Sequence, residues 1–148
     1  MKQKRLDSLW KILLPVLLGY IFLVSASCRQ TVTEKPETDT DAILRVWFFH
    51  PTNRCESCEA IEENTKKILG EHFKDQLENG IIRFRSFNID NRENKTITEK
   101  YQISYTSLLL IRADGTITDF TNNSMNYASM NPDKFEALLI SEIYKNLE

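Results

Sequence analysis

Beyond its first few residues the sequence has no cluster of basic residues: its 19 Lys and Arg are set against 21 Asp and Glu, for a net charge of −2. Without a basic stripe in the mature chain there is no electrostatic footprint for a phosphate backbone, and no nucleic-acid partner is expected. There is no internal repeat, so a solenoid is excluded as well. Cysteine and histidine are scarce, at three and two residues, which leaves few side chains for soft-metal or thiol chemistry. No apolar run clearly reaches the ~20 residues that span a bilayer. Residues 12–26 come nearest, and they fall short unless the small residues at their end are counted.

That run still has a meaning. Lys2, Lys4, Arg5 and Lys11 precede it against a lone Asp7, and Ser25-Ala26-Ser27-Cys28 follows it. A basic start, a short apolar core and small exit residues read as an export signal over residues 1–27. The exit resembles a bacterial lipoprotein signal, in which the cysteine, here Cys28, becomes the lipidated first residue. Ser27 and Ala26 fit that pattern, whereas Ser25 stands where a large aliphatic residue is expected. An uncleaved anchor and ordinary secretion are the alternatives, and all three place the rest of the chain outside the cytoplasm. Removing those four basic residues and Asp7 leaves 15 basic against 20 acidic side chains, a balance of −5. Residues 28–41, which contain Thr, Glu, Asp and one Pro with Val32 the one large apolar side chain, read as a flexible tether. A folded domain is expected over residues 42–148.

Within the domain the chain is organised around Arg54-Cys55-Glu56-Ser57-Cys58. Before it, Ile43-Leu44-Arg45-Val46-Trp47-Phe48-Phe49 has the β-branched and aromatic composition of a strand buried on both faces. After it, Ala60, Ile61, Thr65, Ile68 and Leu69 recur at helical spacing. The two cysteines therefore lie where a strand feeds the first turn of a helix, and three-residue spacing brings both sulfurs to one side. The unpaired N–H groups of a helix N-terminus favour thiolate there. A disulfide closing so short a loop removes little chain entropy, so as a staple it is poor and as a redox pair it is apt.

The remaining elements follow from punctuation and periodicity. Asn79-Gly80 is a turn, residues 81–89 alternate as a strand with Ile82, Phe84 and Ile81 inward, and residues 93–101 form a short helix. Leu108-Leu109-Leu110-Ile111 is a buried strand, Asp114-Gly115 a hairpin, and residues 116–120 its return strand. Residues 121–130, polar and Asn-rich, read as a loop. Asn131 caps a last helix with Pro132 at its first position and a stripe of Phe135, Leu138, Leu139, Ile143 and Leu147. The order strand, helix, strand, helix, strand, strand, helix predicts an α/β fold. Its sheet is mixed and four-stranded, with the first two strands parallel and helices on both faces.

These landmarks together resemble the thioredoxin superfamily over residues 42–148. The likeness rests on Cys55-Glu56-Ser57-Cys58 after a hydrophobic strand, on Phe87-Asn88-Ile89-Asp90 closing the next one, and on Tyr101-Gln102-Ile103 leading to Leu108-Leu109-Leu110-Ile111 and Asp114-Gly115. It implies a thioredoxin-like fold reduced to its core, without the N-terminal strand and helix of longer members. More narrowly, residues 50–64 resemble small envelope proteins named as nitrophenyl-compound nitroreductase subunits of arsenic-resistance clusters. The sequence departs from the superfamily in its Glu56-Ser57 dipeptide, in Arg54 where Trp is usual, and in lacking the acidic residue beneath the second cysteine. Ser107 stands where a cis-proline is kept, and a serine would need ~3–4 kcal/mol to stay cis, so a trans peptide or a strained site is expected.

The resemblance implies a membrane-tethered thiol–disulfide oxidoreductase of the bacterial cell envelope. Cys55 would be its nucleophile and Cys58 its resolving thiol, and Thr106 and Ser107 would dock the substrate. His50 and Arg54 would modulate the thiols: Arg54 should lower the pKa of Cys55, and Glu56 and Glu59 should raise it. No cofactor is expected. The partner would be an envelope redox protein, an electron donor or acceptor in the membrane. Two other readings stay open: a dithiol module that binds metal or metalloid through Cys55, Cys58 and His50 with His72 as a distant fourth ligand, and an assembly subunit.

Overall fold

A computed structural model describes residues 41–148. The export signal, Cys28 and nearly all of the expected tether lie outside the described residues. The first strand, β1 (Leu44–His50), is central, with β2 (Ile82–Asn88) parallel to it on one side and β3 (Ser107–Arg112) antiparallel on the other. A short β4 (Ile117–Asp119) pairs antiparallel with β3, giving the order β2-β1-β3-β4. Helix α1 (Glu56–His72) and the single turn α2 (Lys74–Glu78) connect β1 to β2. A 3₁₀ turn (Arg92–Asn94) and α3 (Lys95–Lys100) lead to β3, and α4 (Thr121–Tyr127) and α5 (Pro132–Leu147) close the chain. This mixed α/β sheet has the strand order and directions of a thioredoxin-like core.

The period of two in β1 divides the core. Leu44, Val46 and Phe48 face one side, where they join Leu108 and Leu110, Ile61, Ile68 and Leu69 of α1, and Phe135, Leu139 and Ile143 of α5. Trp47 and Phe49 face the other side with Phe87, Leu109 and Ile111, packed against Ile97 of α3 and Tyr101. Helices therefore cover both faces, as the element order predicts. A strand with buried side chains on both faces and paired neighbours at both edges has no solvent-facing register, which is why β1 is apolar almost throughout. Ile43, the first residue of that apolar run, precedes the strand and is half exposed.

The sequence reading fails at residues 121–130. Seven of them form α4, followed by a buried Ala128 at its C-cap, and the helix's own buried residues are Thr121 and Ser124 rather than large apolar ones. Their polar groups are satisfied locally. Thr121 Oγ1 accepts from the Leu108 amide at 3.1 Å, Ser124 Oγ donates to the Thr121 carbonyl at 2.8 Å, and Asp119 accepts from the Thr121 amide at 2.9 Å. A helix seated through small hydroxyl-bearing residues carries no hydrophobic period to detect. The last helix begins as expected: Asn131 Oδ1 accepts from the Lys134 amide at 3.1 Å, with Pro132 in the first turn. Asn131→Ala is expected to lower stability by about 1 kcal/mol, read as a lower urea midpoint with an unchanged slope.

Candidate dithiol site

The site sits at the C-terminal end of β1, where residues 51–54 carry the chain into α1. Cys55 is the N-cap residue of α1, with extended backbone, and its carbonyl accepts from the amides of Cys58 at 2.9 Å and Glu59 at 3.1 Å. Cys55 is exposed and Cys58 is 3% exposed, both as free thiols, with their sulfurs 3.2 Å apart. The Cys55 thiol is lowered from its ordinary value, first by the Cys58 side chain and then by the Cys58 amide. The Ser57 amide adds to this, against a small opposing effect of burial. A thiolate at Cys55 thus shares the Cys58 S–H and faces the amides of the first helical turn. Neither Arg54 nor His50, nor Glu56 or Glu59, is among the causes.

Geometry gives the physical reason. The Arg54 guanidinium turns away into α1, where it pairs with Glu62, and it also donates to the ring of His50. His50 is buried, stacked on Phe48 with ring centroids 5.7 Å apart, and its Nδ1 lies 2.9 Å from the Pro51 carbonyl. Glu62 is 7% exposed and also accepts from Lys66 at 2.6 Å. Burial pushes the Glu62 carboxyl up, but hydrogen bonds from Lys66 and Arg54 and their charges outweigh it, so the net shift is downward. Sequence reasoning missed this residue. The signal was available, because Glu62 is four residues after Cys58 and three before Thr65, on the stripe that α1 buries.

The loop is tied on its other side to the end of β2. The Thr52 amide donates to Asp90 Oδ2 at 2.7 Å and the Ile89 amide donates to the His50 carbonyl at 2.9 Å. The Thr52 bonds hold the Asp90 carboxyl below its usual range. The residues that present Cys55 are therefore held from both flanks.

Across the site, Thr106 Oγ1 lies 3.2 Å from Cys58 Sγ, so this hydroxyl reaches the buried thiol directly. Ser107, expected beside it at the docking surface, is buried. It is 5% exposed, pairs with Phe49 in the sheet, and donates to the Tyr105 carbonyl at 3.1 Å. Its peptide is trans, like all those described. Tyr105, immediately before Thr106, is 66% exposed and offers an apolar surface on the same loop.

Among the described residues no group of three or more His, Cys, Asp or Glu is placed to hold a metal ion. His50 is engaged by Arg54 and Pro51. His72 lies at the far end of α1, where its Nε2 meets Glu136 at 2.9 Å. The four ligands of the metal-binding alternative are thus not gathered. No helix among the described residues is long and apolar enough to cross a membrane.

Removing the largest cause of the Cys55 shift has a testable consequence. Cys58→Ala is expected to move the thiolate titration of Cys55 upward, toward the ~8.5 of a free thiol. The pH dependence of alkylation by iodoacetamide reads this directly, and an unmoved titration would show that the helix N-terminus alone sets it.

Fold and site together define an α/β domain with a reduced dithiol at the N-terminus of its first helix. No family model matches the chain, and no curated protein does. Among solved structures it is similar to one described as "Structure of a malarial protein", at 17% identity and a TM-score of 0.45, covering 71% of this chain and 98% of that one.

Proposed function

We propose that this protein is a thiol–disulfide oxidoreductase of the thioredoxin superfamily, held at the bacterial envelope through Cys28 and working with a membrane redox partner. One observation carries the reading: an exposed Cys55 with a lowered thiol pKa lies 3.2 Å from a buried Cys58 at a helix N-terminus. The chemistry is balanced within the pair. The Cys55 thiolate attacks one sulfur of a partner disulfide, forming a mixed disulfide and releasing the partner's other sulfur as thiolate. Cys58 loses its proton and attacks Cys55 Sγ, which closes the Cys55–Cys58 bond and releases the second partner thiolate. The protein is oxidised by two electrons and the partner reduced by two; the reverse sequence runs the other way. The Cys58 proton goes to the partner thiolate released in the first step, the Thr106 hydroxyl can donate a hydrogen bond to the Cys58 thiolate left behind, and the exposed Tyr105 can meet the partner chain.

The test is a glutathione-buffer titration of metal-free protein carrying Cys28→Ser, so that only the pair responds. A reversible two-electron transition between about −120 and −270 mV is expected, the range of exchange proteins. A pair that never oxidises cleanly overturns the reading and leaves an assembly role. Stoichiometric metal or metalloid binding lost in Cys55→Ser supports the ligand-binding role instead.

A further inference from the structure

The dithiol loop leans on a buried polar side chain that takes no part in the exchange chemistry itself. His50 ends β1 at 7% exposure, with its ring stacked on Phe48. Its Nδ1 lies 2.9 Å from the Pro51 carbonyl. Arg54 reaches both ring nitrogens, Nε2 through Nη2 and Nδ1 through Nε at 3.0 Å, but a neutral imidazole accepts at one nitrogen alone. The Pro51 carbonyl decides which. A carbonyl only accepts, so Nδ1 carries the proton and Nε2 is left to accept from Arg54. The other tautomer would take the donor from Pro51 and set an Nε2–H against the N–H groups of Nη2. An imidazolium would offer Arg54 no acceptor at all.

We propose that His50 is a positioning residue for the exchange reaction, acting through Arg54 on the placement of Cys55 against Cys58. The inference rests on the oxidoreductase reading above. Arg54 stands directly before Cys55, and its guanidinium is held at two points: by His50 at the end of β1 and by Glu62 in the second turn of α1. One side chain thus ties the loop of residues 51–54 to both elements that flank it. Cys55 itself is exposed, and its thiol is lowered first by Cys58, whose sulfur is 3.2 Å away. That separation depends on how the backbone enters α1, which is where the Arg54 clamp acts. Closing the Cys55–Cys58 bond is an intramolecular attack, and its rate depends steeply on such placement.

The test uses the full reduced chain carrying Cys28→Ser, with oxidised glutathione as the probe. Cys55 attacks one glutathione sulfur and releases the other as thiolate; Cys58 then attacks Cys55 Sγ, closing the pair and releasing the second glutathione. His50→Phe keeps a ring to stack on Phe48 and loses both nitrogens, whereas His50→Gln keeps an amide oxygen that can accept from Arg54. In His50→Phe the closing step is expected to slow about tenfold, and the iodoacetamide titration of Cys55 to move upward. His50→Gln is expected to close within about threefold of the parent rate. Closing as fast in His50→Phe as in the parent overturns the proposal, and so does a loss in His50→Gln equal to that in His50→Phe. The tautomer is a check that needs no exchange. Ring ¹⁵N shifts of the reduced parent, assigned against His72 by His50→Phe, are expected to show an Nδ1–H ring, and an Nε2–H ring overturns the proposal. If the parent never closes the pair, the oxidoreductase reading fails and this inference falls with it. A parent that closes beside an unaffected His50→Phe sinks the inference alone.

Discussion

Cys55→Ser is expected to reduce thiol–disulfide exchange by roughly 10³-fold or more, because the nucleophile of the first step is gone. A serine hydroxyl is not ionised near neutral pH and forms no disulfide. The remaining thiol cannot substitute, since Cys58 is 3% exposed and lies under Cys55 and Thr106. The fold should survive, because Cys55 is exposed and its backbone, not its side chain, caps α1. Cys58→Ser separates the two roles. It is expected to keep the first attack and to lose resolution, so that mixed disulfides with the partner accumulate and can be isolated under non-reducing conditions. Activity surviving in Cys55→Ser would sink the proposed function outright.

The second large effect is expected at Glu62. Glu62→Ala leaves Arg54 and Lys66 without their shared carboxylate. Breaking a buried ion pair costs ~3–5 kcal/mol when the remaining charge stays buried. Here Arg54 retains 27% and Lys66 56% side-chain exposure, so both can rehydrate, and a loss of about 2 kcal/mol is expected. Because Arg54 directly precedes Cys55, the variant should also loosen the loop and slow exchange at saturating partner. The pH dependence follows from the downward shift of Glu62. A carboxyl with a lower pKa in the folded state contributes stability fully above its unfolded value of about 4.3, and that contribution is lost as pH falls through the folded value. Glu62→Gln should therefore cost stability at about pH 6 and much less at about pH 3, a difference measured by urea unfolding at both. Equal losses at both would mean that Glu62 acts through packing and not through its charge.

The site was legible in part. A strand, a C-x-x-C and a helical period were enough to place Cys55 and Cys58 at a helix N-terminus, because those signals are local: side-chain period in the strand, and N-terminal donors in the helix. Thr106 was named for its position before Ser107, but its contact with Cys58 spans 48 residues of sequence and has no local sign. Arg54 was read as a charge on the thiol because the two are adjacent in sequence. The structure directs it elsewhere because Glu62, two helical turns on, offers a buried carboxylate that binds it more strongly than an exposed thiolate can.

By itself, then, the sequence determined the order and type of most elements, the burial of β1 on both faces, and the placement of the two cysteines at a helix N-terminus, since each depends on a period, a cap or a spacing within a few residues. Only the tertiary structure decided that residues 121–127 are helical, that Glu62 and His50 hold Arg54, that Ser107 is buried while Thr106 meets the thiol, and that the Trp47 indole N–H is buried with no hydrogen-bond partner. These are outcomes of contacts between distant segments, where burial changes what a polar side chain must do, and no local pattern records which partner it will find.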